Sequence, residues 1–414
     1  MKIAILLPYK ENFSKNETGA VSIFVNSINK LSKYKDNINI FGSTNFKPLS
    51  KNYENLNFKK KFYLSSSKIY VENFLKKLSY RKIDILEIHN RPHYLNYLNN
   101  LDNTKKIIFF HNNPLQMQGS TSKNERLNVY TKADTLIFNS IWTKTQFLKD
   151  LPINADDNKI KIVPQSTSKV KINFLKKKKI ISFVGKLNTA KGYDIFGEAI
   201  IKILNKYPKW SSIVIGNEPR QRLFYNHPRL KILGFKNNDY VLNKLKEVSI
   251  SVVPSKWDEP FGRSSLEAAS RGCAIIRSDK GGLNETTNSS IVLNKLTSDE
   301  LYNHLDFLIK NPIKLKKLQV KTYKQFKLTN NYSSNLLDRI RNELIKSKEQ
   351  VSLKCLKILH ITNFNERFNG RLHYNTSKRI NNGLIKLGHN VYQLSDRDII
   401  SSYRSIFNMT PKQK

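Results

Sequence analysis

The chain opens on an unbroken apolar run, Ile3 to Leu7, and a run without alternation predicts a strand buried on both faces, as in a parallel sheet. Behind it Ile23, Phe24, Ser27, Ile28 and Leu31 recur at helical spacing and predict a helix over Ala20 to Tyr34. Further apolar runs predict strands at Asn37–Gly42, Ile83–His89, Lys105–His111 and Ala133–Asn139, with helical stretches between them. Strand and helix in alternation make a doubly wound α/β domain. A second series starts after the Lys176–Lys179 run, with strands at Ile180–Gly185, Ile213–Gly216, Leu230–Leu233, Ser249–Val253 and Ala274–Arg277. Its helices fall at Tyr193–Tyr207, Asp239–Glu247 and Gly262–Arg271. A third beginning follows: a strand at Cys355–Ile361, a loop with Gly370, a helix carrying Ile380, Leu384 and Leu387, Gly388 as its stop, and a strand at Asn390–Leu394. The expected organisation is thus 1–172, 173–350 and a partial α/β segment, 355–414, read as the start of a third domain that is cut short.

Length and composition narrow the class. The 414 residues are too many for one ordinary core, and a 39% hydrophobic content suffices to bury two. No apolar run approaches the roughly 18–20 residues of a membrane-spanning helix. The opening MKIAILLPYK reads as a strand and not as a secretory signal, so a cytoplasmic protein is expected. Cys273 and Cys355 lack a CxxC spacing and suggest neither a disulfide framework nor a zinc site. The net charge of +40 points toward nucleic acid or anionic lipid. Its Lys is spread over nearly every segment, and no RNP-like aromatic cluster, zinc finger or arginine-rich arm accompanies it, so no specific nucleic acid is expected. One stretch stands out: 57–82 holds eight basic residues against one acidic, Glu72, with Val71, Phe74, Leu75 and Leu78 at helical spacing. It reads either as a basic amphipathic helix on an anionic membrane or as a helix covering its own sheet.

The densest chemistry lies in WDEPFGRSSLEAASRG, residues 257–272. Glu259 precedes a turn through Pro260, Phe261 and Gly262, and Glu267 stands inside the helix that follows. The first N–H groups of such a helix have no partner and its dipole is positive there, which suits a phosphate. A carboxylate one turn on accepts hydrogen bonds from a diol such as ribose; alternatively the segment is a surface helix with an acidic first turn. Thr18-Gly19-Ala20 forms a second phosphate-accepting corner without a GxGxxG fingerprint. Polar residues close the third and fourth strands in EIHNRPHY and FFHNNP. Pro92 between His89 and His93 argues against a metal pair. His111 follows IIFF and either meets a substrate or caps its strand end.

Taken together, FVGKLNTAKG (183–192), SVVPSKWDEPFGRSSLEAASRGCAII (251–276) and GGLNE (281–285) resemble the retaining glycosyltransferases of family 4 (glycosyltransferase group 1). The eight-residue spacing of Glu259 and Glu267 matches that family's E-x7-E signature; EIHNRPHY, FFHNNP and IFNSIWTKTQF resemble its acceptor half. The likeness covers roughly residues 1 to 345. It implies the GT-B fold, two Rossmann-like domains facing across a cleft. It further implies transfer of a hexosyl-type sugar from a nucleotide-diphosphate donor, with retention and with neither cofactor nor metal. By the resemblance Lys186 and Lys191 hold the diphosphate, Glu267 the ribose hydroxyls and Glu259 the transferring sugar. Backbone amides of Phe261, Gly262 and Arg263 touch the sugar and its phosphate, Gly19 brings the first domain's loop to the diphosphate, and His111 lies near sugar and acceptor. The base is expected near Gly234-Phe235. Glu259, His111 and Lys191 are the expected catalytic groups; the acceptor is expected to be a glycan or lipid-linked glycan of the cell envelope.

Two departures stand out. Position 186 is Lys where Arg is usual, which keeps the charge and loses the fork; Gly19-Ala20 stands where two glycines are frequent. The alternatives are another GT-B catalyst such as a nucleotide-sugar epimerase, or a basic non-catalytic protein that binds nucleic acid or membrane. The one Asp-x-Asp spacing, Asp396 and Asp398, lies in the tail, outside the two main domains.

Overall fold

A computed structural model describes residues 1–15, 18–56, 65–79, 81–98, 101, 103–221, 223–351, 356–362, 364 and 376–395. It divides into two compact units, Met1–Asn342 and Glu343–Lys414.

The first unit contains two parallel sheets. One comprises β1 (Ile3–Leu6), β2 (Ile38–Gly42), β3 (Tyr53–Asn55), β4 (Ile85–His89), β5 (Lys105–Phe110), β6 (Thr135–Phe138) and β7 (Ile160–Ile162), in the order β3-β2-β1-β4-β5-β6-β7. Every pairing is parallel. β1 and β4 are buried along their whole length, as an apolar run without alternation requires. The helices of this half are α1 (Ala20–Asn29), α2 (Ser66–Leu78), α3 (Lys123–Lys132) and α4 (Ile141–Leu148). α1 is shorter than its apolar spacing predicts: it stops at Asn29, and Leu31 is exposed.

The second sheet holds β8 (Lys178–Val184), β9 (Ser211–Ile215), β10 (Leu230–Ile232), β11 (Val248–Val253), β12 (Ala274–Ser278) and β13 (Ile291–Leu293), ordered β10-β9-β8-β11-β12-β13 and again parallel throughout. Around it lie α5 (Tyr193–Lys206), α6 (Asn238–Leu245), α7 (Arg263–Ser270), α8 (Ser298–Lys310) and α9 (Pro312–Gln325). α10 (Asn330–Val351) returns to the first half, where Ser334 Oγ donates to the Ile28 carbonyl at 2.9 Å and Asp338 accepts from Ser32 Oγ at 2.7 Å. The short edge strands β3, β7 and β13 are not expected from sequence, whereas β10, equally short, is; three residues are too few to display a period reliably.

α2 decides between the two readings of its apolar stripe. Val71, Phe74 and Leu78 are buried in the core of the first sheet, with Leu75 packed against it. The apolar stripe therefore covers its own sheet and is not presented to a lipid surface; Lys76 and Lys77 remain exposed at the helix end. Of the same stretch, residues 57–64 and 80 lie outside the described residues. Among the described residues no helix is long and apolar enough to cross a membrane.

In the second unit β14 (Lys357–Ile361) and β15 (Asn390–Leu394) pair in parallel with α11 (Thr376–Lys386) between them in the chain. This is the expected β-α-β; Cys355, Gly370, Asp396 and Asp398 lie outside the described residues. The division between units falls inside α10, earlier than the boundary expected between 350 and 355.

Candidate active site

In a doubly wound sheet ligands bind beyond the carboxyl ends of the strands, where the strand order reverses. The first sheet reverses between β1 and β4, the second between β8 and β11. A cavity of about 410 Å³ lies at the second of these points, lined by Val184 at the end of β8 with Gly185 and Lys186 beyond it, and by Val253 at the end of β11 with Ser255 beyond it. Thr18, Ala20, Ile23, His111, Asn112, Asn139 and Gln165 close it from the first half. It continues toward a second cavity of about 500 Å³, lined by Gly216, Phe235, Lys236 and Val241 among others.

The wall from the second half carries charge of both signs. Pro260 ends the extended approach, and Gly262 takes φ +100°, a conformation that L side chains rarely adopt. A Cβ there would lie 2.3 Å from Leu283 Cδ2, so the turn depends on glycine twice over. α7 starts immediately after, with no side-chain cap on its first amides, and Phe261, Gly262, Arg263 and Ser264 all face the cavity. Glu259 and Glu267 are 8% and 5% exposed. Each has a cation: Lys191 Nζ lies 2.5 Å from Glu259 Oε1, and Arg263 Nη2 lies 2.8 Å from Glu267 Oε1. Asn238 Nδ2 donates to the same Glu267 oxygen at 2.8 Å. Lys191 is placed by a tight turn in which Asn188 accepts from its backbone N–H, and Gly192 passes so close to Pro254 that a Cβ would meet its carbonyl at 1.9 Å. Lys186 is exposed on the rim.

The wall from the first half is wired to itself. His111, 4% exposed, has Nδ1 2.8 Å from Gln165 Nε2 and Nε2 2.8 Å from His89 Nδ1. Gln165 Oε1 accepts from Arg263 Nη1 at 3.0 Å. His89 Nε2 faces Glu87 Oε2 at 3.9 Å, and Glu87 receives the Arg341 guanidinium of α10 at 2.6 and 2.9 Å. Burial pushes the Glu87 carboxyl up, but the Arg341 charge with its two hydrogen bonds, and His89 beside them, outweigh it and hold the group down at about 2. Burial, then His89 and Arg263, push His111 well below the usual histidine range.

A clasp joins the two halves beside this wall. Glu285 accepts the first two amides of α4, from Ile141 at 2.7 Å and Trp142 at 3.0 Å. Ser140, the N-cap of α4, donates its hydroxyl to the Pro260 carbonyl at 2.6 Å. The loop bearing Glu259 is further pinned by Gly282 N–H on the Glu259 carbonyl at 2.6 Å.

Of the expected site residues, Lys186, Lys191, Glu259, Phe261, Gly262, Arg263, Glu267 and His111 all line the one cavity. Gly19 does not: its neighbours Thr18 and Ala20 do, and the start of α1 is occupied by Glu11, whose Oε1 accepts from Ser22 N–H at 3.0 Å. His111 reaches the wall with both ring nitrogens already engaged, so neither faces a substrate in this arrangement. Gln165 went unnoticed in sequence; Asn139 and Glu285 lie inside the stretches IFNSIWTKTQF and GGLNE without a role of their own. Among the described residues no three His, Cys, Asp or Glu side chains group as a metal site.

Residues 164–325 match the family described as Glycosyl transferases group 1. Crystalline HepE of Anabaena in complex with UDP and glucose superposes with a TM-score of 0.61 at 16% identity, covering 84% of this chain and all of that one. The fold is GT-B. Two curated relatives match shorter stretches. The uncharacterized glycosyltransferase MJ1607 of Methanocaldococcus jannaschii is 33% identical over 128 residues, 28% of this chain and 32% of its own. The lipopolysaccharide core biosynthesis mannosyltransferase LpsB of Rhizobium meliloti is 26% identical over 118 residues, 26% of this chain and 33% of its own. The chain thus spans about a third of the length of these two relatives. The group 1 match contains Lys186, Lys191, Glu259, Arg263 and Glu267 and leaves out His111 and the rest of the first sheet.

Proposed function

We propose that this GT-B protein transfers a sugar from a nucleotide-diphosphate donor to a glycan or lipid-linked glycan acceptor, with retention and without a metal. The observation that carries the reading is the meeting of an uncapped helix start, four cations (Lys186, Lys191, Lys236 and Arg263) and two buried carboxylates in one cavity at the switch point of the second sheet. Lys186, Lys191, Arg263 and the α7 amides answer the charge of a diphosphate, which grows as the glycosidic bond breaks. That countercharge stands where a divalent ion would otherwise serve. Glu267, with Asn238 beside it, takes the ribose diol; Glu259 takes hydroxyls of the sugar. The base fits the neighbouring space between Gly216, Phe235 and Val241. Donor entry exchanges partners: the diphosphate draws Lys191 and Arg263 away from the two carboxylates, which turn to hydroxyls.

Retention is supported by what lines the opposite wall. No described residue of the first half that lines the cavity is a carboxylate, so no carboxylate base stands ready for a displacement from behind. The leaving diphosphate then serves as the base for an acceptor that enters on its own side. The envelope acceptor rests on relatives such as the lipopolysaccharide mannosyltransferase. Any contact with an anionic membrane would rest on charge, including Lys76 and Lys77, since the apolar face of α2 is buried.

Thermal shift against UDP-, GDP-, ADP- and dTDP-sugars tests the reading. A donor at a hundred times its Kd stabilises the fold by about 2.7 kcal/mol, and Lys191→Ala, with a ten- to hundredfold weaker site, should cut that to about 0.4–1.4 kcal/mol. No shift with any of the four, together with strongly salt-dependent nucleic-acid binding, would favour the non-catalytic alternative.

A further inference from the structure

We infer that Gln165 is a positioning residue: its side-chain amide ties the His111 ring to Arg263 on the opposite half and thereby dictates which nitrogen of His111 carries the hydrogen. Donor and acceptor counts decide the direction. A guanidinium has hydrogens to give and no lone pair, so the amide atom 3.0 Å from Arg263 Nη1 is the Gln165 oxygen. The amide nitrogen is left for His111 Nδ1, which must accept, and the ring hydrogen therefore sits on Nε2. His89 Nδ1 accepts that hydrogen at 2.8 Å, so the hydrogen of His89 is on its own Nε2, toward Glu87. The fork of Arg341 on Glu87 closes the far end. Donation runs one way from Arg263 to His89.

A proton added to His111 Nδ1 would confront the Gln165 amide hydrogens. The His111 ring is neutral while the relay is intact. The groups around His111 act in the same sense: His89 from β4 and Arg263 from α7 are its charged or titratable neighbours, while Phe24 from α1 and Phe109 contribute only rings. Asn90 and Asn139 bond its backbone, at 2.7 and 2.9 Å.

The functional consequence rests on the donor-site reading. Arg263 also pairs with Glu267, so a donor that draws Arg263 to its phosphates frees the Gln165 oxygen. The amide then turns, and the Nδ1 lone pair of His111 becomes available to a substrate hydroxyl. Gln165 makes the acceptor-side wall respond to occupancy of the donor side.

Nitrogen-15 NMR of the histidine rings in the full chain tests this, with His111 assigned through a His111→Asn variant. Wild-type His111 should show a bare Nδ1, a protonated Nε2 and titration below the ordinary histidine range. Gln165→Glu replaces the donor by an anionic acceptor, so Nδ1 should gain a hydrogen and the midpoint rise by about one pH unit or more. Gln165→Met, close in shape, should leave a mixture of tautomers. In sugar transfer Gln165→Glu should lower kcat about tenfold with donor KM within about twofold, and move the acid limb of the pH profile upward. A wild-type hydrogen on Nδ1, or tautomer and midpoint unmoved in both variants, overturns the inference. The NMR readout needs no donor: the expected tautomers without calorimetric binding of any nucleotide sugar would uphold the role of Gln165 and reject glycosyl transfer.

Discussion

The two walls of the cavity solve opposite problems. On the second half, Lys191–Glu259 and Arg263–Glu267 are ion pairs with Lys191 30% exposed, and the amides at the start of α7 have no side-chain cap. Such pairs exchange readily for a ligand of matching charge, because water and ligand both compete for them. On the first half, Glu87, His89 and His111 are almost fully buried; His111 bonds to His89, whose Nε2 faces Glu87 at 3.9 Å, and Arg341 bonds to Glu87 twice. A buried network of this kind is rigid, and removing one member leaves the others desolvated and unpaired. One wall is built to bind, the other to hold shape.

Breaking the rigid wall should give the largest effect. Arg341→Met leaves Glu87 buried without its cation and should destabilise the protein by about 3–5 kcal/mol in denaturant unfolding; a loss below about 1 kcal/mol would mean that α10 does not anchor this network. Acid should act on the same wall. Glu87 is depressed to about 2 when folded, so its stabilisation is complete above the unfolded carboxylate value near ~4.5 and is lost as pH falls toward ~2. His111 is also depressed, so its share is present above the ordinary histidine pKa of ~6.5 and begins to be lost below it. Unfolding free energy measured across pH should therefore be level above neutrality and fall in two stages below; a rise on acidification would contradict both.

The exchangeable wall should respond in binding and rate. Lys191→Ala and Glu267→Ala each remove one charged hydrogen bond to the donor, worth roughly 1.5–3 kcal/mol or about ten- to a hundredfold in kcat/KM, with little change in Tm. Unaltered kcat/KM in either variant would detach that residue from the donor. The clasp between the walls comes next: Glu285→Gln keeps an acceptor for the α4 amides but loses the charge that suits a helix start. We expect a two- to fivefold loss of kcat, roughly 0.5–1 kcal/mol, and an equal kcat would make the clasp incidental. The smallest effect is expected from EDTA, which should leave turnover unchanged; abolition with rescue by manganese would overturn the metal-free reading.

Sequence determined the alternating α/β pattern, because each buried parallel strand is an uninterrupted apolar run and each helix has its own spacing. It also determined the charged wall of the second half, since Glu259 to Glu267 is one local turn and helix whose geometry follows from Pro260, Gly262 and the eight-residue spacing. Lys191 and Lys186 entered through a family resemblance to a contiguous motif. The first wall was decided only by tertiary structure. Glu87, His89, His111, Gln165, Arg263 and Arg341 come from β4, the end of β5, the connection between the sheets, α7 and α10, and nothing local marks Gln165 or Arg341 as different from any other glutamine or arginine. The apolar stripe of α2 had two possible partners on pattern alone, and only packing against the first sheet chose between them. Covalent neighbours set period and turn, whereas the partner of a buried polar group is set by whichever chain segment folding brings within about 3 Å of it.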